Sequence, residues 1–391
     1  MNKSELIRYY KKIITRLIVS PLKLIPTNKH RVLLINNMSG YYADNLKYIA
    51  EGLRERGKTI ELIYAGRSLA CCHKLRNKCM KAVELNTVKY FYYGMTSRVL
   101  VTNSGGISYL PLKKNQYVIN TWHGGGAYKK MGIDMYEDTA LFRKDMALAA
   151  KETDLLLTTC ERFKNAYCKA MLEAPEKFWS IGMPRNDCLK KGDEQKRQIV
   201  RKTIGLREED RLVLFAPTYR KINDDYFNDS VAISYGIDEK MVCDALHERF
   251  GGRWIFAYRY HPCIVNREKA KRMENVADFT DYDDMQELLL ASDVLINDFS
   301  SSMWDFMLTG KPCFIFAKDL QHYIKSTELY TPVSEWPFSI AETNEQLAEN
   351  IKAFDEKHYK SECDKHYELL GGCETGEATK LVCQKIEQLC K

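Results

Sequence analysis

Apolar and polar positions change period three times along residues 281–323, and the switches lay out a helix, a strand, a second helix and a second strand. Residues 285–291 carry helical periodicity behind a cluster of capping-type aspartates. Residues 293–297 form an apolar run of buried-strand length, and the next helix is expected to open near Ser300. Ser300, Ser301 and Ser302 then fall at a strand-to-helix junction, where unpaired N–H groups and the positive end of a helix dipole suit a bound phosphate. Such a turn can hold a pyrophosphate without a metal. Ordinary helix capping accounts for the same serines equally well.

The same alternation runs through the rest of the chain. Strand-like runs at 31–36, 59–64, 98–102, 117–120 and 154–158 are separated by helical or loop segments, among them a helix over 45–56 closed by Gly57. This predicts a parallel sheet covered on both faces, a Rossmann-like lobe over residues 30–195. No GxGxxG fingerprint accompanies it, so a nicotinamide cofactor is not supported. Residues 190–198 are charged and weakly apolar, as a linker or exposed helix would be, and the lobe boundary is placed there. A second lobe over 196–375 begins with the strand 211–215 and continues with a helix at 240–250 and a strand at 254–258. Helices are expected at 345–354 and 374–389, with the C-terminal segment 376–391 packing back on the first lobe.

Ahead of the first lobe, segment 1–29 contains an amphipathic helix ended by Pro21. Leu6, Ile7, Tyr10, Ile14, Leu17 and Ile18 lie on one side and Arg8, Lys12 and Arg16 on the other, with Lys23 and Lys29 extending the charge. That pattern suits a helix in the headgroup region of an anionic membrane. The alternative is a helix packed on its own domain with solvated Lys and Arg outside.

Composition narrows the picture. A chain of 391 residues with 45% hydrophobic content is long enough for two domains and gives no reason to expect disorder over most of its length. The net charge of +7 is modest, no basic and aromatic interleaving of the nucleic-acid type is present, and anionic lipid or a phosphate-bearing substrate accounts for the excess. Thirteen cysteines without CxxC spacing read as free thiols of a reducing compartment rather than as a zinc site or disulfide set. The N-terminus lacks a signal-peptide pattern, and no apolar run reaches bilayer length.

Candidate chemistry sits past the strand ends. Thr121-Trp122-His123-Gly124-Gly125-Gly126 follows the strand 117–120 and leads to Lys129 and Lys130, which places His123 where open α/β sheets expose their ligand crevice. A loop histidine there is either a general base or structural. Arg185 lies in the turn-like 183–187, and Thr218 and Arg220 follow the strand 211–215; both arginines are candidate cleft-lining cations. The strand 254–258 delivers Arg259 and His261, which alternation directs to one side. A structural histidine beside Pro262 is an equal reading. Asp283-Asp284 precedes a helix and reads as a cap, so no metal is demanded.

Taken in order, TWHGGGAYKKMG, GMPRND, FAPTYR, RYHP and SDVLINDFSSSMWDFMLTGKPCFIF are more specific together than singly. Over residues 31–323 the chain resembles the CDP-glycerol glycerophosphotransferase family of teichoic acid and capsule synthesis. The resemblance implies a GT-B-like fold of two Rossmann-like lobes across a cleft, with a membrane-binding N-terminal element. It implies transfer of a polyol phosphate from CDP-glycerol or CDP-ribitol to a hydroxyl of a lipid-linked saccharide or growing polymer, with release of CMP. The expected setting is the cytoplasmic face of the membrane, with no cofactor. Matched by motif, His123 is the general base, His261 contacts the donor phosphates, and Ser300 with Ser301 forms the donor-phosphate turn. On the same reading Arg259 and Ser302 hold the departing charge, Asp305 binds the ribose or orients a phosphate donor, and Asp298 contacts the donor or braces the turn. Thr218 and Arg220 join the donor side; Gly124, Gly125, Lys129 and Arg185 join the acceptor side. The sequence departs from the commoner WHGTP form at Gly125 and Gly126, and has Phe299 where DYSS has tyrosine. A nucleotide-sugar transferase of the same architecture and a noncatalytic scaffold are the competing expectations. The motif order argues against the first, and the two histidines against the second.

Overall fold

The computed structural model describes residues 3–38, 41–57, 59–67, 80–104, 107–136, 138–218, 236–260 and 275–391. Arg220, the polar stretch after it to Tyr235, which reads as a loop, and His261 lie outside them. The chain divides into two compact units, Met1–Asp187 with Leu370–Lys391, and Cys188–Leu369.

Among the described residues, seven parallel strands form the sheet of the first unit: β1 (Asn28–Ile35), β2 (Glu61–Gly66), β3 (Lys81–Glu84), β4 (Ser97–Thr102), β5 (Tyr117–Asn120), β6 (Leu155–Thr158) and β7 (Phe178–Ser180). They are ordered β3-β2-β1-β4-β5-β6-β7, so the winding direction reverses between β1 and β4. Side chains of β1 divide by the two-residue period of a strand. Val32 and Leu34 join the core beneath the helices Asp44–Glu55 and Ala378–Leu389, while Leu33 and Ile35 join the opposite core with Tyr90 and Met95 of the helix Val88–Thr96. Both faces are covered, which is why β1 and β4 read as continuous apolar runs. The helix Ala378–Leu389 belongs wholly to this unit and starts where Asp187 accepts from the backbone N–H groups of Ala378 and Thr379 at 3.0 and 2.8 Å.

The N-terminal helix Lys3–Val19 packs on the helix Ala140–Glu152 with Lys12 and Arg16 inward, the reverse of a helix packed on its own domain with solvated Lys and Arg outside. Lys12 is 6% exposed and ion-paired with Asp145, and Arg16 pairs with Glu152 and donates to the carbonyls of Ser108 and Leu110 at 2.9 and 2.8 Å. Cations drawn inward by buried carboxylates turn the apolar residues outward: Ile7, Tyr10, Ile14, Leu17 and Ile18 are all more than half exposed, Ile18 at 73%. Among the described residues no helix is long and apolar enough to cross a membrane.

Six parallel strands form the second unit, in the order β10-β9-β8-β11-β12-β13. They are β8 (Asp210–Phe215), β9 (Arg253–Tyr258), β10 (Val276–Asp278), β11 (Val294–Asn297), β12 (Cys313–Phe316) and β13 (Ser339–Ala341), with the reversal between β8 and β11. The charged stretch 190–198, expected as a linker or an exposed helix, runs into the helix Glu194–Thr203, most of whose residues are exposed or half-buried. Arg197 donates to the carbonyls of Leu290 and Ala291 and to Asp293, so a cation closes the C-terminus of the helix Met285–Ala291. The protein is thus α/β with two separate parallel sheets.

Candidate active site

Three neighbouring strands of the first sheet end in buried asparagine: Asn36 after β1, Asn103 after β4 and Asn120 at the end of β5. They stand at the carboxyl edge where the winding reverses, the position at which open α/β sheets bind ligands. Trp122 follows β5 at φ +56°, a left-handed conformation that costs a bulky side chain of order 1–3 kcal/mol. Asn45 Nδ2 holds the Trp122 carbonyl at 3.1 Å, and the Trp122 ring packs edge-on against Tyr167 with centroids 5.0 Å apart.

His123 comes next, partly buried, with its ring 4.5 Å from that of Trp122. Its Nδ1 lies 2.9 Å from the carbonyl oxygen of Asn103. A carbonyl only accepts, so Nδ1 carries the proton and the neutral ring has its lone pair on Nε2. Burial pushes the pKa of the imidazole below its ordinary value and Arg185 adds to this, against the opposing pull of Asp44 and the Asn103 carbonyl. A neutral ring with an unprotonated Nε2 is the form a general base needs.

Arg185 was expected as a cleft-lining cation. It is 7% exposed; Nη1 donates to Asp44 Oδ1 and to the His123 carbonyl, both at 2.8 Å. The rest of its motif is equally engaged: Asn186 donates to Glu374 at 2.8 Å, and Asp187 caps the last helix. Gly124 is half-buried and Gly125 buried, while Gly126 takes φ +65° and donates its N–H to Thr159 Oγ1 at 3.1 Å. Lys129 is half-buried. Asp44, Asn45 and Asn103, which the sequence reading passed over, are therefore the residues that fix His123. Asn103 carried a signal, as a polar side chain immediately after an apolar strand; Asp44 and Asn45 instead open a helix.

In the second unit the equivalent edge joins the ends of β8 and β11. Asp298 is fully buried and accepts from the N–H of Thr218, at 2.8 and 3.0 Å to its two oxygens, and from Thr218 Oγ1 at 2.8 Å. These contacts tie Asp298 to Thr218, just past the end of β8. Ser300 and Ser301 are half-buried and Ser302 is buried. The helix begins two residues later than expected, at Ser302, and runs only to Met307, so its dipole is short. Ser301 makes no side-chain cap; instead Ser302 Oγ bonds Ser300 Oγ at 3.1 Å, and Asn297 Nδ2 holds the Ser300 carbonyl at 2.9 Å. Phe299 stacks on Tyr323 with ring centroids 3.6 Å apart, so its place is filled by an aromatic face and not by a hydroxyl. Asp305 is buried and receives Gln286 Nε2 at 3.0 Å. Arg259 is 8% exposed and donates to the carbonyls of Phe279, Thr280 and Tyr282, which ties the end of β9 to the segment after β10. No group of three or more His, Cys, Asp or Glu suited to a metal occurs among the described residues.

The protein has two doubly wound parallel sheets, with His123 just past a strand end of the first and the serines 300–302 just past a strand end of the second. The chain belongs to the CDP-glycerol:poly(glycerophosphate) glycerophosphotransferase family, whose match extends over residues 18–388, and it is a transferase of that type. It is 24% identical to a teichoic acid poly(glycerol phosphate) polymerase of Bacillus spizizenii, over 98% of this chain and 99% of that protein. It is 25% identical to a teichoic acid glycerol-phosphate transferase of Staphylococcus aureus, over 96% of this chain and 98% of the relative. A polymerase of Staphylococcus epidermidis is 25% identical over 87% of this chain, which spans about half, 48%, of that relative's length. The solved structure of the wall teichoic acid polymerase TagF superposes with a TM-score of 0.80, at 24% identity and covering 99% of this chain and 97% of that one, and so shares the fold.

Proposed function

We propose that the protein transfers glycerol phosphate from CDP-glycerol to a hydroxyl of a lipid-linked saccharide or of a growing teichoic-acid-type polymer. His123 Nε2 takes the proton of the acceptor hydroxyl, the oxygen attacks the β-phosphorus, and the bond to the bridging oxygen breaks so that CMP leaves with that oxygen. A positioned base contributes about 10²–10⁴-fold in rate. The observation carrying this reading is the Nδ1–H of His123 bound by the Asn103 carbonyl, which leaves Nε2 to act. The second unit supplies the donor contacts: the turn of Ser300, Ser301 and Ser302 braced by Asp298, the N–H groups beside it, and His261 and Arg220 by their motifs. Arg259 and Asp305 hold the surrounding loops in place for that turn. Fixed donors of this kind stabilise charge developing on the departing phosphate.

The partner proposed for the N-terminal helix is an anionic membrane at the cytoplasmic face, where a lipid-linked acceptor resides. What supports it is the outward apolar row from Ile7 to Ile18 together with exposed Arg8, Lys11 and Lys23.

Ribitol phosphate is the second reading, favoured by a poly(ribitol-phosphate) polymerase of Bacillus spizizenii 23% identical over 93% of this chain. A panel of CDP-glycerol, CDP-ribitol and UDP-sugars, offered with a synthetic lipid-linked disaccharide and followed by product mass, decides the matter. CMP release with addition of glycerol phosphate is expected. Addition of ribitol phosphate would move the assignment to the second reading, and UDP release without CMP would overturn both.

A further inference from the structure

Asp44 opens the helix Asp44–Glu55 at φ +62°, a left-handed backbone that aspartate is among the few residues to tolerate. In that conformation its two carboxylate oxygens reach different partners. Oδ1 receives Arg185 Nη1 at 2.8 Å, and Oδ2 receives Asn103 Nδ2 at 2.8 Å. Both partners also bind His123. Arg185 Nη1 donates to its backbone carbonyl at 2.8 Å, and the Asn103 backbone carbonyl receives its Nδ1–H at 2.9 Å. A further pair of bonds closes the ring from the adjacent residue: Asn45 Oδ1 receives the Arg185 N–H at 3.2 Å while Asn45 Nδ2 holds Trp122. A carboxylate that only neutralised a buried arginine would need neither Asn103 nor a strained backbone.

We propose that Asp44 is a positioning residue for the base, clamping Arg185 and Asn103 together so that the imidazole of His123 keeps its Nδ1–H tautomer and its orientation. The inference rests on reading His123 as the base. Asp44 does not touch the reacting atoms; it acts through two intermediaries on a ring nitrogen that does. Asp44 and Arg185 are also the charged groups acting on the imidazole, with opposite signs: the carboxylate favours the imidazolium and the guanidinium disfavours it.

The test uses the full chain, CDP-glycerol and the lipid-linked disaccharide acceptor. Asp44→Asn keeps the shape and removes the charge. The expected result is a fall in kcat of at least about tenfold with KM for CDP-glycerol within about twofold of the parent, as for an interaction made only in the transition state. The acid limb of the rate profile shifts to lower pH, because the group favouring imidazolium is gone while Arg185 remains. On a His123→Ala background, Asp44→Asn costs nothing further, since a residue acting through another is not additive with it. Asn103→Ala keeps the carbonyl that receives Nδ1–H but removes the amide held by Asp44; it carries the same kcat expectation and replaces Asp44→Asn should that variant not fold. Unchanged kcat and an unmoved acid limb overturn the proposal, as does a loss confined to KM or a full loss added to His123→Ala. An active His123→Ala variant would instead sink the underlying reading of the base, which keeps the two failures apart.

Discussion

At the residue scale, one carbonyl decides what His123 can do. By accepting from Nδ1, Asn103 leaves Nε2 as the basic nitrogen, and burial keeps the ring neutral below the ordinary histidine pKa of 6.5. The base works only when unprotonated, so kcat/KM should stay level as pH drops through 6.5 and decline only below it. A pH–rate profile for CMP release measures this, and an acid limb centred above 6.5 would contradict it. Stability carries the same sign. In the window just below 6.5 the unfolded chain takes up a proton that the folded imidazole refuses, so this contribution is intact above 6.5 and is lost as pH falls. The histidine itself was legible, since a histidine after a strand in a glycine-rich loop is an exposed position in this fold class. Its supports were not, because Asp44 and Asn103 lie 79 and 20 residues upstream of it and only the sheet order brings them together. The asparagines ending β1, β4 and β5 were the available clue, buried polar groups following apolar runs.

At the element scale, periodicity located the main strands of both sheets to within a few residues, since a strand buried on both faces leaves little ambiguity in an apolar run. The short edge strands β3, β7, β10 and β13 escaped, being three or four residues each and partly exposed. The N-terminal helix taught more. Its amphipathic pattern was plain, but which side faces the protein depended on Asp145 and Glu152, carboxylates more than a hundred residues away that bind Lys12 and Arg16. Burying a charge costs several kcal/mol unless it is paired, and these partners make the inward direction tenable. The outward row is therefore the part free to enter lipid. Changing Leu17 and Ile18 together to aspartate should leave the circular dichroism spectrum and the thermal midpoint nearly unchanged, because both are exposed, at 68% and 73%. Sedimentation with vesicles containing phosphatidylglycerol should drop at least about tenfold, since the change removes apolar burial and adds repulsion. Unaltered sedimentation would remove this helix from membrane attachment.

At the scale of the whole molecule, the second unit is an insertion between two parts of the first. Residues 188–369 hold their own parallel sheet and core, so that segment expressed alone should unfold in one cooperative transition on heating. The complementary truncation, ending at residue 371, should not give a folded first unit. It removes Ala378, Val382, Cys383 and Ile386 from the core beneath the helix Asp44–Glu55, leaving a large apolar face open to water. Calorimetry of the two fragments checks both outcomes. The sequence reading puts the boundary near residue 195, from hydrophilic composition, and the C-terminal segment back on the first lobe; the chain divides after Asp187 and again before Leu370.

That returning helix sets an order of events during synthesis. The ribosome releases everything the serine-turn unit requires before it releases the last element of the histidine unit, and domains fold as units when their chain is complete. Chain growth therefore completes the unit with the serine turn first. The unit with His123 must wait, unfinished, for the helix Ala378–Leu389, so a stop codon ahead of that helix leaves a core begun some three hundred residues earlier without its cover.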